Sequence, residues 1–441
     1  MHHRLSVLLR SATYALRGGF LVRPLVIAVL LGAAGAVLSG TEEAIPGMSR
    51  LIPEVLFPSR QDPQAAQAIL SAIATSIMSV VSIVFAILLM TLTLASTQFS
   101  PRILVSFVRD RSTQSTLGVF LGTFAYCVAA LPAARSLPVA FVPVVTVTGA
   151  MLLALICVGW LVFFINHISQ SISVNQITDR IARETELVIA EYMPRRRAPL
   201  DLPESVPSAA LGDDEVPVLC RQSGYIRFID IGYLVALTRE YGVRVRLERR
   251  VGHFVPEGIA LMRVSKGSRI TPDRERQLLE GVDLGPVRTM QQDVEFGVIQ
   301  IADIALRAIS PAVNDPSTAI SCVDHLGRVL IRWLDRVPPP TYYYDPPHVL
   351  RLVLPWISFE GLLDTAFEQI RHYSQSDVAV SLRLLRAYDD IGATVKDPEL
   401  RAALLRRAER VVAGCTVHLR KDDLGRLQER LAAMQARAAV Q

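Results

Sequence analysis

Residues 69–96 read ILSAIATSIMSVVSIVFAILLMTLTLAS, and this stretch decides the architecture. It holds no charged residue, no Gly and no Pro. A helix needs about 20 apolar residues to cross the hydrocarbon core of a bilayer, and this run is longer. A soluble helix of such length would turn a polar face to water. Here only scattered Ser and Thr interrupt the apolar side chains. The stretch predicts an integral membrane protein.

Working outward, three more segments fit the same description. Residues 20–38 are apolar apart from Arg23, whose long side chain can reach the headgroups. Residues 117–131 are short and carry Gly118 and Gly122, and residues 137–165 are long enough to cross with a tilt, with Pro138 and Pro143 near their start. So few residues separate the last two spans that they must form a tight antiparallel hairpin. Arginine then sets the orientation. Arg4, Arg10 and Arg17 precede the first span and Arg23 lies at its start, Arg102, Arg109 and Arg111 lie between the second and third, and Arg180, Arg183 and Arg195, Arg196 and Arg197 follow the fourth. The opposite side carries only Arg50, Arg60 and Arg135, beside Glu42, Glu43, Glu54 and Asp62. The positive-inside bias predicts a multi-pass protein with both termini in the cytoplasm.

The net charge of +5 and pI near 9.0 do not imply a nucleic-acid partner. Juxtamembrane arginines account for most of the excess and suit anionic lipid. The five cysteines, Cys127, Cys157, Cys220, Cys322 and Cys415, form no CxxC or metal spacing and read as reduced thiols.

Beyond residue 165 the apolar stripe continues through Ile168, Ile172, Ile177, Ile181 and Val188 without Gly or Pro until Pro194. The spacing predicts that the fourth span extends as a helical stalk over 166–193, so that residues 1–193 form one transmembrane domain. Between the second and third spans, Ser100 and Pro101 open a short amphipathic helix on the inner membrane face. Residues 194–217, with Pro199, Pro203 and Pro207, read as a linker. Residues 218–290 show the alternation of a small β-rich module, as in SGYIRFID and VRVRLERR. Residues 291–441 read as a helical array, with Asp315-Pro316 and Asp397-Pro398 as cap-and-proline helix starts and Ser358 as another cap. The predicted fold class is a four-helix membrane region followed by a cytoplasmic α+β region.

Several stretches together resemble the bacterial family of predicted membrane proteins called domain of unknown function 2254. They are LASTQFSPRILVSFVRDRSTQ, FFINHISQSIS, SGYIRFIDIGYL, QDVEFGVIQIADIALRAISPAVNDPSTA and SFEGLLDTAFEQIRHYSQSDVAV. The long motif over 292–319 is the most specific. Asn166 and Ala312-Val313 depart from the pattern, where His and Gly-Ile are expected. The resemblance implies a multi-span inner-membrane protein with a cytoplasmic C-terminal region. It implies no reaction, cofactor or catalytic residue.

Three groups of residues are candidates for function. Ser71, Thr75, Ser79 and Ser82 share one face of the second span, which suits either a permeation wall or close helix packing. His167, Ser171 and Asn175, four residues apart, suit a polar vestibule or a pH-sensitive contact at the inner end of the fourth span. Asp293, Asn314 and Asp315 suit helix caps or hard-oxygen ion contacts. The span interiors hold no Asp, Glu, Lys or His, which argues against a proton relay. VGHFVPEG has the shape of a biotin- or lipoate-bearing turn but no lysine, and no Walker loop, GxGxxG, HExxH or GxSxG occurs. No cofactor is expected. The leading expectation is a homo-oligomeric channel or transport-associated protein gated by its tail. A membrane-anchored sensor or scaffold with a cytoplasmic partner comes second, and an enzyme last.

Overall fold

The computed structural model describes residues 21–45, 47–53, 62–98, 110–136, 140–171, 173–193, 215–346 and 348–440. The N-terminal arginines, the amphipathic helix expected after Ser100 and most of the linker lie outside the described residues. The chain divides into two compact units, Met1–Ser173 and Val174–Gln441.

The first unit holds four helices, α1 (Val22–Ala44), α2 (Pro63–Gln98), α3 (Arg111–Ala130) and α4 (Val144–Ser171). All four are long and apolar enough to cross a membrane. Each overlaps one expected segment, and α3 begins six residues before the expected 117 because Asp110 caps it there, accepting from the Thr113 amide. Helices α1 and α3 approach closely through small residues. A Cβ at Gly118 would lie 2.7 Å from Ile27 Cδ1, and one at Gly122 would lie 2.5 Å from Leu31 Cδ1. Gly118 and Gly122 thus form a GxxxG contact within one copy. At one end of the unit the buried Glu42 of α1 caps α4. Its carboxylate accepts from the amides of Val145 at 2.8 Å and Thr146 at 3.0 Å, and from the Thr146 hydroxyl at 3.0 Å. These donors would otherwise be orphaned at the helix start.

The second unit opens with α5 (Val174–Tyr192). The expected continuous stalk is not formed, because α4 stops at Ser171, Ser173 is not helical and α5 begins afresh at Val174. Its stripe of Ile177, Ile181 and Ile189 is buried within the second unit, beside helices of the long motif. The compact unit therefore starts at 174, not after 193.

Two sheets follow. Strands β1 (Glu215–Leu219), β2 (Gly224–Ile229), β3 (Val245–Leu247), β4 (Phe254–Val255), β5 (Ala260–Ser265) and β6 (Val282–Gly285) alternate with α6 (Ile231–Tyr241) and α7 (Pro272–Glu280). Asp230 caps α6 and Gly242, at φ +66°, ends it in the left-handed conformation that glycine adopts without strain. The helices α8 (Val294–Ala308) and α9 (Pro316–Leu334) come next, then strands β7 (Tyr342–Asp345) and β8 (Val349–Val353). The array closes with α10 (Phe359–Tyr373), α11 (Val378–Thr394), α12 (Pro398–Cys415) and α13 (Lys421–Val440).

The five-stranded sheet has the order β1-β5-β3-β8-β7 and the three-stranded one β4-β2-β6. Their inner faces share one core with α6, built on Ile226, Leu234, Val245, Met262, Val264 and Leu352. The region after 291 is therefore not purely helical. Strand β8 pairs in parallel with β3, Val245 opposite Leu352, so the module borrows two strands from beyond its expected end. Parallel neighbours require a long crossover, and here α8 and α9 lie within it.

Candidate functional site

The long motif nucleates a buried cluster of charge. Asp293 caps α8 by accepting from the Phe296 amide at 3.1 Å, which leaves its carboxylate pointing back into the protein. Arg288, from the loop after β6, meets it with two bonds of 2.8 and 2.9 Å. Glu295, in the first turn of α8, receives both ends of the Arg250 guanidinium at 2.8 and 3.0 Å and a further bond of 2.9 Å from Arg288. The Thr365 hydroxyl of α10 lies 3.2 Å from Glu295 as well. Beside them, the buried Gln292 side chain pairs with both backbone groups of Ile229 at 2.8 and 3.3 Å, extending the edge of β2. Two loops of the sheet region and two helices are thereby tied at one point.

Two arginines and two carboxylates balance in charge. Burial pushes the Asp293 carboxyl up, against the pull of Arg288 and the Phe296 amide. Burial would raise Glu295 too, but hydrogen bonds and charge from Arg250 and Arg288 bring it down to about 2. His253 is pushed down by burial and then by the Arg250 charge. A cleft of about 30 Å³ borders the cluster, lined by Arg250, Asp293, Glu295, Trp333 and Trp356 among others. That is room for a water or two.

Asp315 caps α9, accepting from the Thr318 amide at 3.1 Å and the Thr318 hydroxyl at 2.6 Å, with Pro316 at the first helical position. Those Thr318 bonds hold its carboxyl below the usual range. Asn314 sits just before it at φ +49°, a conformation that Asn tolerates. Among the described residues no three His, Cys, Asp or Glu side chains converge as a metal set. Asp315→Asn should therefore be mild, while Asp315→Ala should lose about 1 kcal/mol. Thermal melts of both variants with and without divalent ions test this, and equal damage from Asn and Ala without ions would count against the cap.

In the first unit, Ser71, Thr75, Ser79 and Ser82 are all exposed on α2, while Leu70, Ala74, Ile77, Val81 and Val84 are buried. The Ser79 and Ser82 hydroxyls donate back to the carbonyls of Thr75 and Met78, both at 3.1 Å. The vestibule residues do not share one helix. His167 and Ser171 belong to α4 and Asn175 to α5. His167 instead pairs with Asp110, Nε2 to Oδ2 at 2.8 Å, and stacks on Phe163. Sequence spacing missed Arg250 and Arg288, because ion pairs between residues distant in sequence leave no local period.

The family model for predicted membrane proteins of domain of unknown function 2254 matches residues 17–390. Uncharacterized proteins of Mycobacterium tuberculosis and Mycobacterium bovis are each 33% identical over 385 residues, covering 86% of this chain and 72% of theirs. No solved structure matches. With its four apolar helices, its mixed α/β region and a match across most of its length, the chain belongs to the predicted membrane protein family of domain of unknown function 2254.

Proposed function

We propose that the chain is a multi-pass inner-membrane protein, with both termini cytoplasmic, that forms homo-oligomers through the outer face of α2. The copies enclose a weakly polar path whose opening the soluble unit governs. One observation carries this reading. Contacts between membrane helices favour small side chains that let backbones approach. On α2 the small and hydroxylated positions from Ser71 to Ser82 are exposed, and the large ones, Leu70, Ile77 and Val84, are spent inside the unit. Met78 is the one large apolar side chain exposed within that stretch, and further along Ile83, Phe85 and Leu89 make the exposed face strongly apolar.

A second reading, a scaffold or sensor with a dry interface, is favoured by the back-bonded Ser79 and Ser82 hydroxyls, which need no water. Single cysteines separate the readings, since all five native thiols are buried. Cysteine at 71, 75, 79 or 82 should cross-link copies in vesicles, while cysteine at Leu155, exposed on α4, should not. Cross-links with ion flux through the vesicles support the channel. Cross-links in vesicles that stay tight support the scaffold, and no cross-links would sink both forms of the α2 interface.

A further inference from the structure

We infer that the outward face of the five-stranded sheet binds a nucleotide carrying two or three phosphates. The inference rests on the soluble unit alone and stands or falls apart from α2.

Strand alternation fixes what this face presents. Val245, Val264 and Leu352 are fully buried and define the inner side. Their neighbours Arg246, Arg263 and Val353 therefore point outward. The register carries this row across all five strands: Tyr342 opposite Val353, Val353 beside Arg246, Arg246 opposite Arg263, and Arg263 opposite Pro217. Arg244 and Arg351 flank the row on the same side, two residues along their strands. Like charges directly opposite one another on a sheet destabilise it, yet Arg246 and Arg263 are such a pair.

Acidic neighbours offset this in part. Glu248 lies 3.3 Å from both arginines, Glu215 2.9 Å from Arg246 and 3.9 Å from Arg244, and Asp345 3.7 Å from Arg351 and 3.6 Å from Arg239. On the face itself four arginines, Arg244, Arg246, Arg263 and Arg351, meet three carboxylates, so positive charge remains in excess. Arg246 and Arg263 keep 32% and 39% of their side chains exposed, and Tyr342 is 39% exposed at the far end of the row.

Guanidinium forks match phosphate oxygens in pairs, and an exposed aromatic ring stacks on any base. Strand spacing places Tyr342 about 10 Å from the Arg246 strand position and about 14 Å from that of Arg263. The base and terminal phosphates of an extended nucleoside di- or triphosphate lie a comparable length apart. Val353, between them, offers an apolar floor for the sugar. With no Walker loop in the sequence, side chains rather than a backbone nest would hold the phosphates.

The test is equilibrium binding of ATP, ADP, AMP and tripolyphosphate to the full-length protein in detergent. ATP and ADP should bind saturably and more tightly than AMP. Arg246→Gln and Arg263→Gln should each weaken ATP by at least about tenfold, and Arg263→Lys by less. Tyr342→Ala should weaken ATP and spare tripolyphosphate, and Arg276→Gln, on exposed α7, should change nothing. Should Arg246→Gln prove unstable, the more exposed Arg263 carries the test alone. Absence of saturable ATP binding, or ATP binding indifferent to Arg263→Gln, overturns the proposal. So does a Tyr342→Ala variant that binds ATP like wild type, which leaves a phosphate site only. Tighter binding of a single-stranded oligonucleotide would overturn it too, in favour of nucleic acid.

Discussion

Gly252→Val should leave little or no folded second unit. Gly252 sits at φ +87°, where a β-branched residue is strongly disfavoured. A Cβ there would also lie 2.3 Å from Asp293 Oδ2 and 2.5 Å from Arg288 Nη2. The substitution combines a backbone penalty of about 1–3 kcal/mol with disruption of a buried ion pair, worth about 3–5 kcal/mol when broken. Together these take much of the roughly 5–15 kcal/mol that stabilises a typical domain. Gly258 supplies the control. It has a similar φ of +78°, but a Cβ added there would meet nothing within 4 Å, so Gly258→Ala should show the backbone penalty alone. Trp333 and Trp356 report unfolding of this unit by fluorescence once Trp160, on α4, is replaced by Phe. If Gly252→Ala melts like Gly258→Ala, the ion pair does not require the missing Cβ.

Glu295→Ala should be the most damaging single loss of charge, at about 3–5 kcal/mol, because it strands Arg250 beside a buried helix start and leaves Arg288 with Asp293 alone. Glu295→Gln should cost less, since its amide oxygen still accepts. The pH dependence has a definite sign. Glu295 ionises near 2 in the folded chain against an ordinary 4.5. A depressed carboxyl contributes stability that is complete above the unfolded value and lost as pH falls through the folded one. The gap between wild type and Glu295→Gln should therefore be full above pH 4.5 and shrink toward pH 2. Asp293 is pushed up by burial and, in smaller part, by the Glu295 charge, so it titrates lower in Glu295→Gln and contributes with the opposite sign to that difference. A gap that stays constant down to pH 2 would show that the arginines do not select the charged form.

The apolar helices were legible because residues 69–96 hold no charge, Gly or Pro over a length that can cross a bilayer, and helix starts were legible where Asp precedes Pro or an apolar turn, as at Asp293, Asp315 and Asp397. The strands beyond 340 were not. TYYYD and HVLRLV alternate only briefly, and their place in the sheet depends on a partner over a hundred residues earlier. The break before Val174 was hidden too, because the Ile spacing runs through it unchanged and no Gly or Pro marks the place where Ser173 leaves the helix. Of the candidate sites, the caps follow from local spacing. The clamp on Glu295 does not, since only folding brings Arg250 and Arg288 to it.

The parallel pairing of β3 with β8 also bears on how the chain is made. Val245 leaves the ribosome long before its neighbour Leu352. Until then β3 has β5 on one side and a bare row of amides and carbonyls on the other, the kind of edge that recruits strands from other chains. Nascent or prematurely terminated chains that end before 349 would carry that open edge together with the four apolar helices. Biogenesis thus has a window, about a hundred residues of synthesis long, in which a holding chaperone has something definite to cover.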